Sequence, residues 1–342
     1  MVSRTLQNLF RCSLRLQRGR DRVQPAQKPP MVDKEKTIRL CLDWDGTLTK
    51  KDTLHLVAAI GYDCNRDANL TPWDDIVQAY LSDYKQHKEG YTPPADQRKA
   101  GDGAARRESN WLASLKPVET RSIERVQAAG IFKGVIKQDV ELAARLAVQK
   151  HKLQFRTGWR TLLMYHQKSA TAPSVSILSV NWSATFIQAC IEAAFQFSAS
   201  GMESTMVASI PVCANELPLV ERRPDSCIST STDKLEMLRQ LRKDGDFIVY
   251  VGDSATDFDC LNAADVGICV RDDPMGSSQQ ELKETLDRLG FETLRLSSEA
   301  YKETGCYVFD GANEGKKRKR IIWWVEDLDE ISKFIEEIHG HT

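Results

Sequence analysis

The stretch Ile38-Arg39-Leu40-Cys41-Leu42-Asp43-Trp44-Asp45-Gly46-Thr47-Leu48-Thr49 decides the fold. An apolar, β-rich run ends in two carboxylates two residues apart, followed by a glycine. In extended backbone, residues i and i+2 face the same way. The spacing therefore predicts that Asp43 and Asp45 stand side by side at a strand's C-terminal end. Two like charges about 4 Å apart repel by roughly 4 kcal/mol at an effective dielectric near 20. A bound cation, or a proton held by one partner, is expected to offset that repulsion. Gly46 permits the sharp turn that takes the chain out of the sheet.

Three later segments repeat this logic. Phe247-Ile248-Val249-Tyr250-Val251 reads as a buried strand, and Gly252-Asp253-Ser254-Ala255-Thr256-Asp257 follows it. Two carboxylates again lie beside a glycine turn, where an open α/β sheet places its ligands. Val175-Ser176-Ile177-Leu178-Ser179 precedes Val180-Asn181-Trp182 and a helical pattern at Phe186, Ile187, Cys190, Ile191 and Ala194. Ser179 is thus placed between a strand end and a helix N-terminus, whose N–H groups and dipole favour an anion. Asp233-Lys234-Leu235-Glu236 reads as a capped helix start with Asp233 at the cap, continued by Leu235, Leu238 and Leu241. A lysine in the first turn is disfavoured by the dipole by about 0.3–1 kcal/mol, and a bound phosphate reverses that sign.

In this order the four segments resemble the motifs of the haloacid dehalogenase (HAD) superfamily of phosphohydrolases. The resemblance implies Asp43 as nucleophile and Asp45 as general acid/base. It implies Thr47, Ser179, Asn181 and Lys234 at the phosphate. It also implies Mg²⁺ on Asp43, the backbone carbonyl of Asp45 and Asp253, with Asp257 as ligand or behind the ligands. Cys213-Ala214-Asn215-Glu216-Leu217, Ala263-Ala264-Asp265-Val266 and Thr157-Gly158-Trp159-Arg160-Thr161-Leu162-Leu163 are similar to phosphoserine phosphatase and its relatives. This closer similarity spans roughly residues 36–50 and 155–270. One departure stands out. Those relatives carry a Gly-Gly pair after the serine of the second motif, where this chain has Val180-Asn181. Bare backbone is replaced by side chains, which argues against phosphoserine itself while leaving phosphate-ester chemistry.

The fold so implied is α/β, with a Rossmann-like three-layer α/β/α core, a parallel sheet and an inserted helical cap. The reaction implied is Mg²⁺-dependent hydrolysis of a small phosphorylated metabolite through an aspartyl-phosphate. Asp45 speaks against dehalogenation, because a departing halide needs no proton. The same core would serve a nucleotidase or phosphotransferase, whose substrates the cap distinguishes. A non-catalytic binding protein of this fold usually lacks the nucleophile, the acid or the metal Asp, and all are present here.

Composition sets the remaining expectations. The chain of 342 residues suits a large domain with a smaller one, and its net charge of −1 argues against a nucleic-acid partner held by overall electrostatics. No run of about 18 apolar residues occurs, so no membrane span is expected. The nine cysteines are scattered, with Cys41, Cys190 and Cys269 inside apolar runs, which reads as buried thiols in a reducing compartment. The six histidines lack metal-ligand spacing, so a zinc site is not expected. Composition leaves the oligomeric state open.

The expected organisation is a leader (1–30), a core (31–50 and 155–342) and a helical cap (51–154). The leader carries Arg4, Arg11, Arg15, Arg18 and Arg20 among apolar residues and no acid before Asp21. That pattern suits either a mitochondrial transit peptide or a tail of a cytoplasmic protein, with Met31 as a second potential start. Helical patterns run over 52–60, 73–87, 108–128 and 137–149, and 91–109 reads as a flexible loop. Trp73, Tyr80, Tyr84 and Trp111 read as core aromatics rather than as a substrate pocket. Beyond Val270, a helix at 281–289, strands at 292–296, 307–310 and 321–325 and a terminal helix are expected. The basic run Lys316-Lys317-Arg318-Lys319-Arg320 reads as a solvated loop.

Overall fold

The computed structural model describes residues 37–167, 173–198, 210–217, 226–309 and 318–339. The leader and the residues Lys316 and Lys317 of the basic run lie outside these ranges.

The strands are β1 (Ile38–Leu42), β2 (Ser174–Leu178), β3 (Val212–Cys213), β4 (Phe247–Gly252), β5 (Val266–Val270), β6 (Glu292–Arg295), β7 (Tyr307–Phe309) and β8 (Arg318–Val325). They form one sheet in the order β3-β2-β1-β4-β5-β8-β6, with every pairing along it parallel. β7 adds antiparallel to the first residues of β8. Parallel strands are covered on both faces, which is why β4 and β5 are apolar and buried from end to end. Leu40, Leu42, Val249 and Val251 point into one hydrophobic cluster, while Cys41, Ile248 and Tyr250 point into another on the opposite face. This is the two-residue alternation of a pleated strand.

The chain runs outward from β1 through β2 to β3 and then returns to lay β4 and β5 on the other side of β1. That reversal makes the C-terminal ends of β1 and β4 the crevice where an open α/β sheet binds ligands. Asp43, Ser179 and Asp253 follow the ends of β1, β2 and β4.

Between β1 and β2 lie α1 (Leu54–Cys64), α2 (Trp73–Gly90), α3 (Ala104–Ser114), α4 (Lys116–Ala129), α5 (Lys137–Gln149) and α6 (Trp159–Leu163). The remaining helices are α7 (Ala184–Ser198), α8 (Ser231–Leu241), α9 (Phe258–Ala263), α10 (Ser277–Leu289), α11 (Ser298–Thr304) and α12 (Leu328–His339). The inserted helices share both hydrophobic clusters with the sheet. Ala144 and Ala147 of α5 join the first, and Trp111 and Leu112 of α3 join the second. Ile331, Phe334, Ile335 and Ile338 of α12 are buried on one face, as their spacing predicts.

The insert differs from expectation in two places. The expected single helix at 108–128 is broken at Leu115, where Pro117 opens α4 and has no N–H to continue the ladder of α3. The expected flexible loop at 91–109 ends at Gly103, after which α3 begins. Arg98 anchors this segment. It is 4 % exposed, donates to Glu108 Oε2 at 2.9 Å and to the Pro93 carbonyl at 2.8 Å, and lies 4.9 Å from the Trp111 ring centre. The segment reads as a loop from its Pro/Gly content, but a buried ion pair fixes it. Cys41, Cys190 and Cys269 are buried, unpaired thiols. No helix of the described residues is long and apolar enough to cross a membrane.

Candidate active site

β1 delivers Asp43 to the crevice, where it is 3 % exposed, and Asp43 N–H donates to the Val251 carbonyl at 2.9 Å. The chain then turns through Trp44–Leu48, with Gly46 at φ +74°. A Cβ on Gly46 would fall 2.3 Å from Asp253 Oδ2, so the first turn has room for the second carboxylate only because residue 46 is glycine. Arg156, 2 % exposed, ties the turn down. It donates to the Gly46 carbonyl at 2.8 Å and to the Thr47 carbonyl at 3.1 Å.

Lys234 is fully buried and donates to Asp43 Oδ1 and Asp257 Oδ1, both at 2.7 Å. Burial pulls its pKa down, but the Asp257 and Asp43 carboxylates outweigh this and hold it above its ordinary value. Thr230 is the cap of α8, one turn earlier than the Asp233 expected there. It forms a capping box with Asp233. Asp257 is also fully buried, and both of its oxygens are occupied. Oδ1 accepts from the Tyr250 hydroxyl at 2.7 Å as well as from Lys234. Oδ2 accepts from the backbone N–H groups of Asp253 and Ser254 and from the Ser254 hydroxyl, each at 3.1 Å. Asp253 accepts from the Thr47 hydroxyl at 3.0 Å and from the Ser278 hydroxyl at 3.3 Å.

Carboxylate oxygens of Asp43, Asp253 and Asp257 lie within 4.8 Å of one another. Three carboxylates and one ammonium would leave a buried charge of −2 if all were ionised. Burial, reinforced by the Asp257 charge, raises Asp43 well above the carboxylate range and pushes Asp253 up to about 7. Raised values on two neighbouring carboxyls show that ionising all three acids here is costly, first because of burial and then because of their mutual repulsion. An all-oxygen donor set of this kind fits a hard divalent cation.

Asp45 is not in that cluster. The strand ends at Leu42, so the i, i+2 rule that placed it beside Asp43 no longer applies. Its Oδ1 accepts from the Thr53 N–H at 2.7 Å and the Thr53 hydroxyl at 2.6 Å, and its Oδ2 accepts from Asn181 Nδ2 at 2.9 Å. Burial, and secondarily the Asp52 charge, lifts the Asp45 pKa to about 6 against the hydrogen bonds from Asn181 and Thr53. Burial is the main cause, in place of the neighbouring Asp43 carboxylate.

Ser179 is fully buried and accepts from the Asn181 N–H at 3.0 Å, so it retains its own O–H for donation. The Asn181 side chain is placed differently from the phosphate contact expected of it. Nδ2 donates to Asp45 and to Thr53 Oγ1, and Oδ1 accepts from the Ser183 N–H at 3.2 Å. The sequence reading omitted Thr53, Arg156, Tyr250 and Ser278. Only Arg156 carried a signal, through its position just before the Thr157–Leu163 segment. Of the four aromatics read as core, Trp73 packs edge-on against Trp182 with ring centres 5.9 Å apart. Tyr80, Tyr84 and Trp111 also line a cavity between the insert and the core.

No family model matches the chain. A CTO1 family protein of Schizosaccharomyces pombe is 24% identical over 282 residues, covering 75% of this chain and 86% of its own. Among solved structures, a phospho-aspartyl intermediate analogue of phosphoserine phosphatase matches at 15% identity and a TM-score of 0.38, over 73% of this chain and 91% of its own. A HAD family hydrolase from Salmonella enterica matches at 15% identity and a TM-score of 0.38, over 75% of this chain and 73% of its own. A protein of unknown function from Anaerococcus prevotii matches at 12% identity and a TM-score of 0.41, over 77% and 87%.

Proposed function

We propose that this chain is a HAD-type, Mg²⁺-dependent phosphomonoester hydrolase that acts on a small phosphorylated metabolite through an aspartyl-phosphate. The observation that carries this reading is the division of labour between two neighbouring carboxylates. Asp43 is clamped through one oxygen by Lys234 inside a buried acidic cluster, while Asp45 is held apart with a pKa of about 6.

With Oδ1 engaged by Lys234, Asp43 presents its other oxygen for in-line attack on phosphorus. The new Asp43 O–P bond forms as the P–O bond to the alcohol breaks, and protonated Asp45 gives its proton to the departing oxygen. Asp45, now a carboxylate, takes a proton from water as the water oxygen attacks phosphorus, which returns Asp43 and releases inorganic phosphate. A pKa near 6 suits a group that must both give and take a proton near neutrality. Thr53 and Asn181 orient Asp45. Thr47, Ser179 and Lys234 hold the transferring phosphoryl oxygens. Asp43, Asp253 and the Asp45 carbonyl would hold Mg²⁺, with Asp257 behind them fixing Lys234 and the Asp253 turn. The cation would offset the negative cluster and draw charge from the phosphoryl oxygens.

Residues 51–154 act as the cap that encloses the site, and 31–50 with 155–342 as the core. The test is Mg²⁺-dependent phosphate release over a panel of small phosphomonoesters, with Asp43→Asn in parallel. Release that disappears in the variant supports the reading. Release that persists in the variant, or none from the native protein, refutes it.

A further inference from the structure

A cavity of about 270 Å³ separates the inserted helices from the core. Its floor includes Thr230 and Ser231 at the head of α8, and Ser254 and Ser278 beside Asp253. Two of these touch the carboxylate cluster. Ser278 donates to Asp253 Oδ2 at 3.3 Å, and Ser254 donates to Asp257 Oδ2 at 3.1 Å. The opposite wall is built by Tyr80 and Tyr84 of α2, Trp111 of α3 and Glu119 of α4.

The charges around this cavity are one-sided. Among the described residues, three glutamates line it, and no Lys, Arg or His does. Glu108 is neutralised from behind by Arg98 at 2.9 Å and Arg288 at 3.0 Å. Glu281 is half-exposed and 3.9 Å from Lys88. Glu119 differs from both, because its hydrogen-bond partner is the neutral Tyr80 hydroxyl, at 2.8 Å. Lys116, three residues earlier on α4, acts on Glu119 through its charge alone, because its ammonium donates to Asp233 at 2.8 Å and to the Cys227 carbonyl at 2.6 Å. Burial lifts the Glu119 pKa to about 7, against the Tyr80 hydrogen bond and the Lys116 charge. Beside the head of α8 the Asp233 carboxylate accepts from the N–H groups of Ser229 and Thr230, both at 2.9 Å, which adds a further negative charge near the cavity floor.

We propose that this cavity receives the alcohol half of the substrate and that Glu119 selects an alcohol bearing an ammonium group. The inference rests on the phosphomonoesterase reading and names its substrate class: phosphate esters of amino alcohols, primary or quaternary. The ammonium supplies the direct ion-pair partner that no described residue gives Glu119, and the tyrosine rings of α2 add a surface that attracts cations. An ester bearing a carboxylate in place of the ammonium meets Glu119 and Glu281 with like charge and finds no cation among the described residues of the walls.

The test uses the full chain with Mg²⁺ and four probes: phosphoethanolamine, phosphocholine, glycerol 3-phosphate and phosphoglycolate, with p-nitrophenyl phosphate as a general reporter. At least one ammonium ester should exceed both glycerol 3-phosphate and phosphoglycolate in kcat/KM by about tenfold or more, the effect of one hydrogen bond to a charged group. Glu119→Gln should collapse that ratio. The native ranking decides the matter alone if the variant does not fold. Glycerol 3-phosphate or phosphoglycolate as the best substrate would overturn the proposal, as would an unchanged ratio in Glu119→Gln. Turnover of p-nitrophenyl phosphate with none of the four esters would overturn the proposal and leave the phosphatase reading standing. No turnover of any probe would overturn both.

Discussion

Asn181 donates from Nδ2 to Asp45 Oδ2 at 2.9 Å and so joins two turns 136 residues apart in sequence. A glycine at this position would have no side chain with which to hold the Asp45 carboxyl. The same amide reaches Thr53 Oγ1 at 3.1 Å, so Asp45, Thr53 and Asn181 form one hydrogen-bonded unit. Asn181→Ala is expected to lower kcat about ten- to a hundredfold, the effect of losing one hydrogen bond to a charged group. Steady-state kinetics on any accepted ester checks this. An unchanged kcat would show that Thr53 alone orients the acid.

Lys234 bridges Asp43 and Asp257 with no exposure to solvent. Lys234→Met removes the single positive charge among four buried side chains and leaves the carboxylates uncompensated. Breaking a buried ion pair in this way costs about 3–5 kcal/mol. Urea unfolding should show a loss of that order unless divalent cation is added, and turnover should vanish.

The Asp43, Asp253 and Asp257 cluster sets three carboxyls against one ammonium, which predicts stabilisation by a divalent cation. Mg²⁺ at a hundredfold excess over its dissociation constant should add about 2.7 kcal/mol of stability. A rise in Tm with Mg²⁺, reversed by chelation and absent in Asp253→Asn, is the expected result.

Glu119 predicts a pH dependence of stability. Its folded-state pKa is raised from 4.5 to about 7, first by burial. Between those values the folded protein keeps a proton that the unfolded chain has released. The stability this group contributes is therefore fully present below pH 4.5 and is lost as pH rises through about 7. Urea unfolding across this range should give a flatter profile for Glu119→Gln than for the native protein.

The parts of this molecule that were legible in its sequence are those governed by short-range rules. Buried parallel strands read as largely apolar runs, so β1 and β4 and the carboxylates at their ends were accessible from Ile38–Asp45 and Phe247–Asp257. The placement of Asp45 was not, because the extended geometry stops at Leu42 and its partners Thr53 and Asn181 come from other segments. Arg156, which grips the turn after Asp43, is more than a hundred residues away from it. Tyr80, Tyr84 and Trp111 show a different limit. A helix face that touches the core at one edge and a cavity at the other has the same apolar period as a face that is wholly core. Pro117 carried a helix-break signal that the expected single helix at 108–128 passed over, and it explains why α3 and α4 are two helices.

The central claim is that Asp43 carries the phosphoryl group. The most direct measurement is to quench the protein during turnover of a phosphomonoester with Mg²⁺, reduce with borohydride, and examine the peptide spanning residues 38–50 by mass spectrometry. An aspartyl-phosphate is reduced to homoserine, whereas a free carboxylate is not. Homoserine at position 43, dependent on substrate and absent from position 45, is the result expected. Turnover accompanied by an unmodified Asp43 under conditions that trap acyl phosphates would contradict the account.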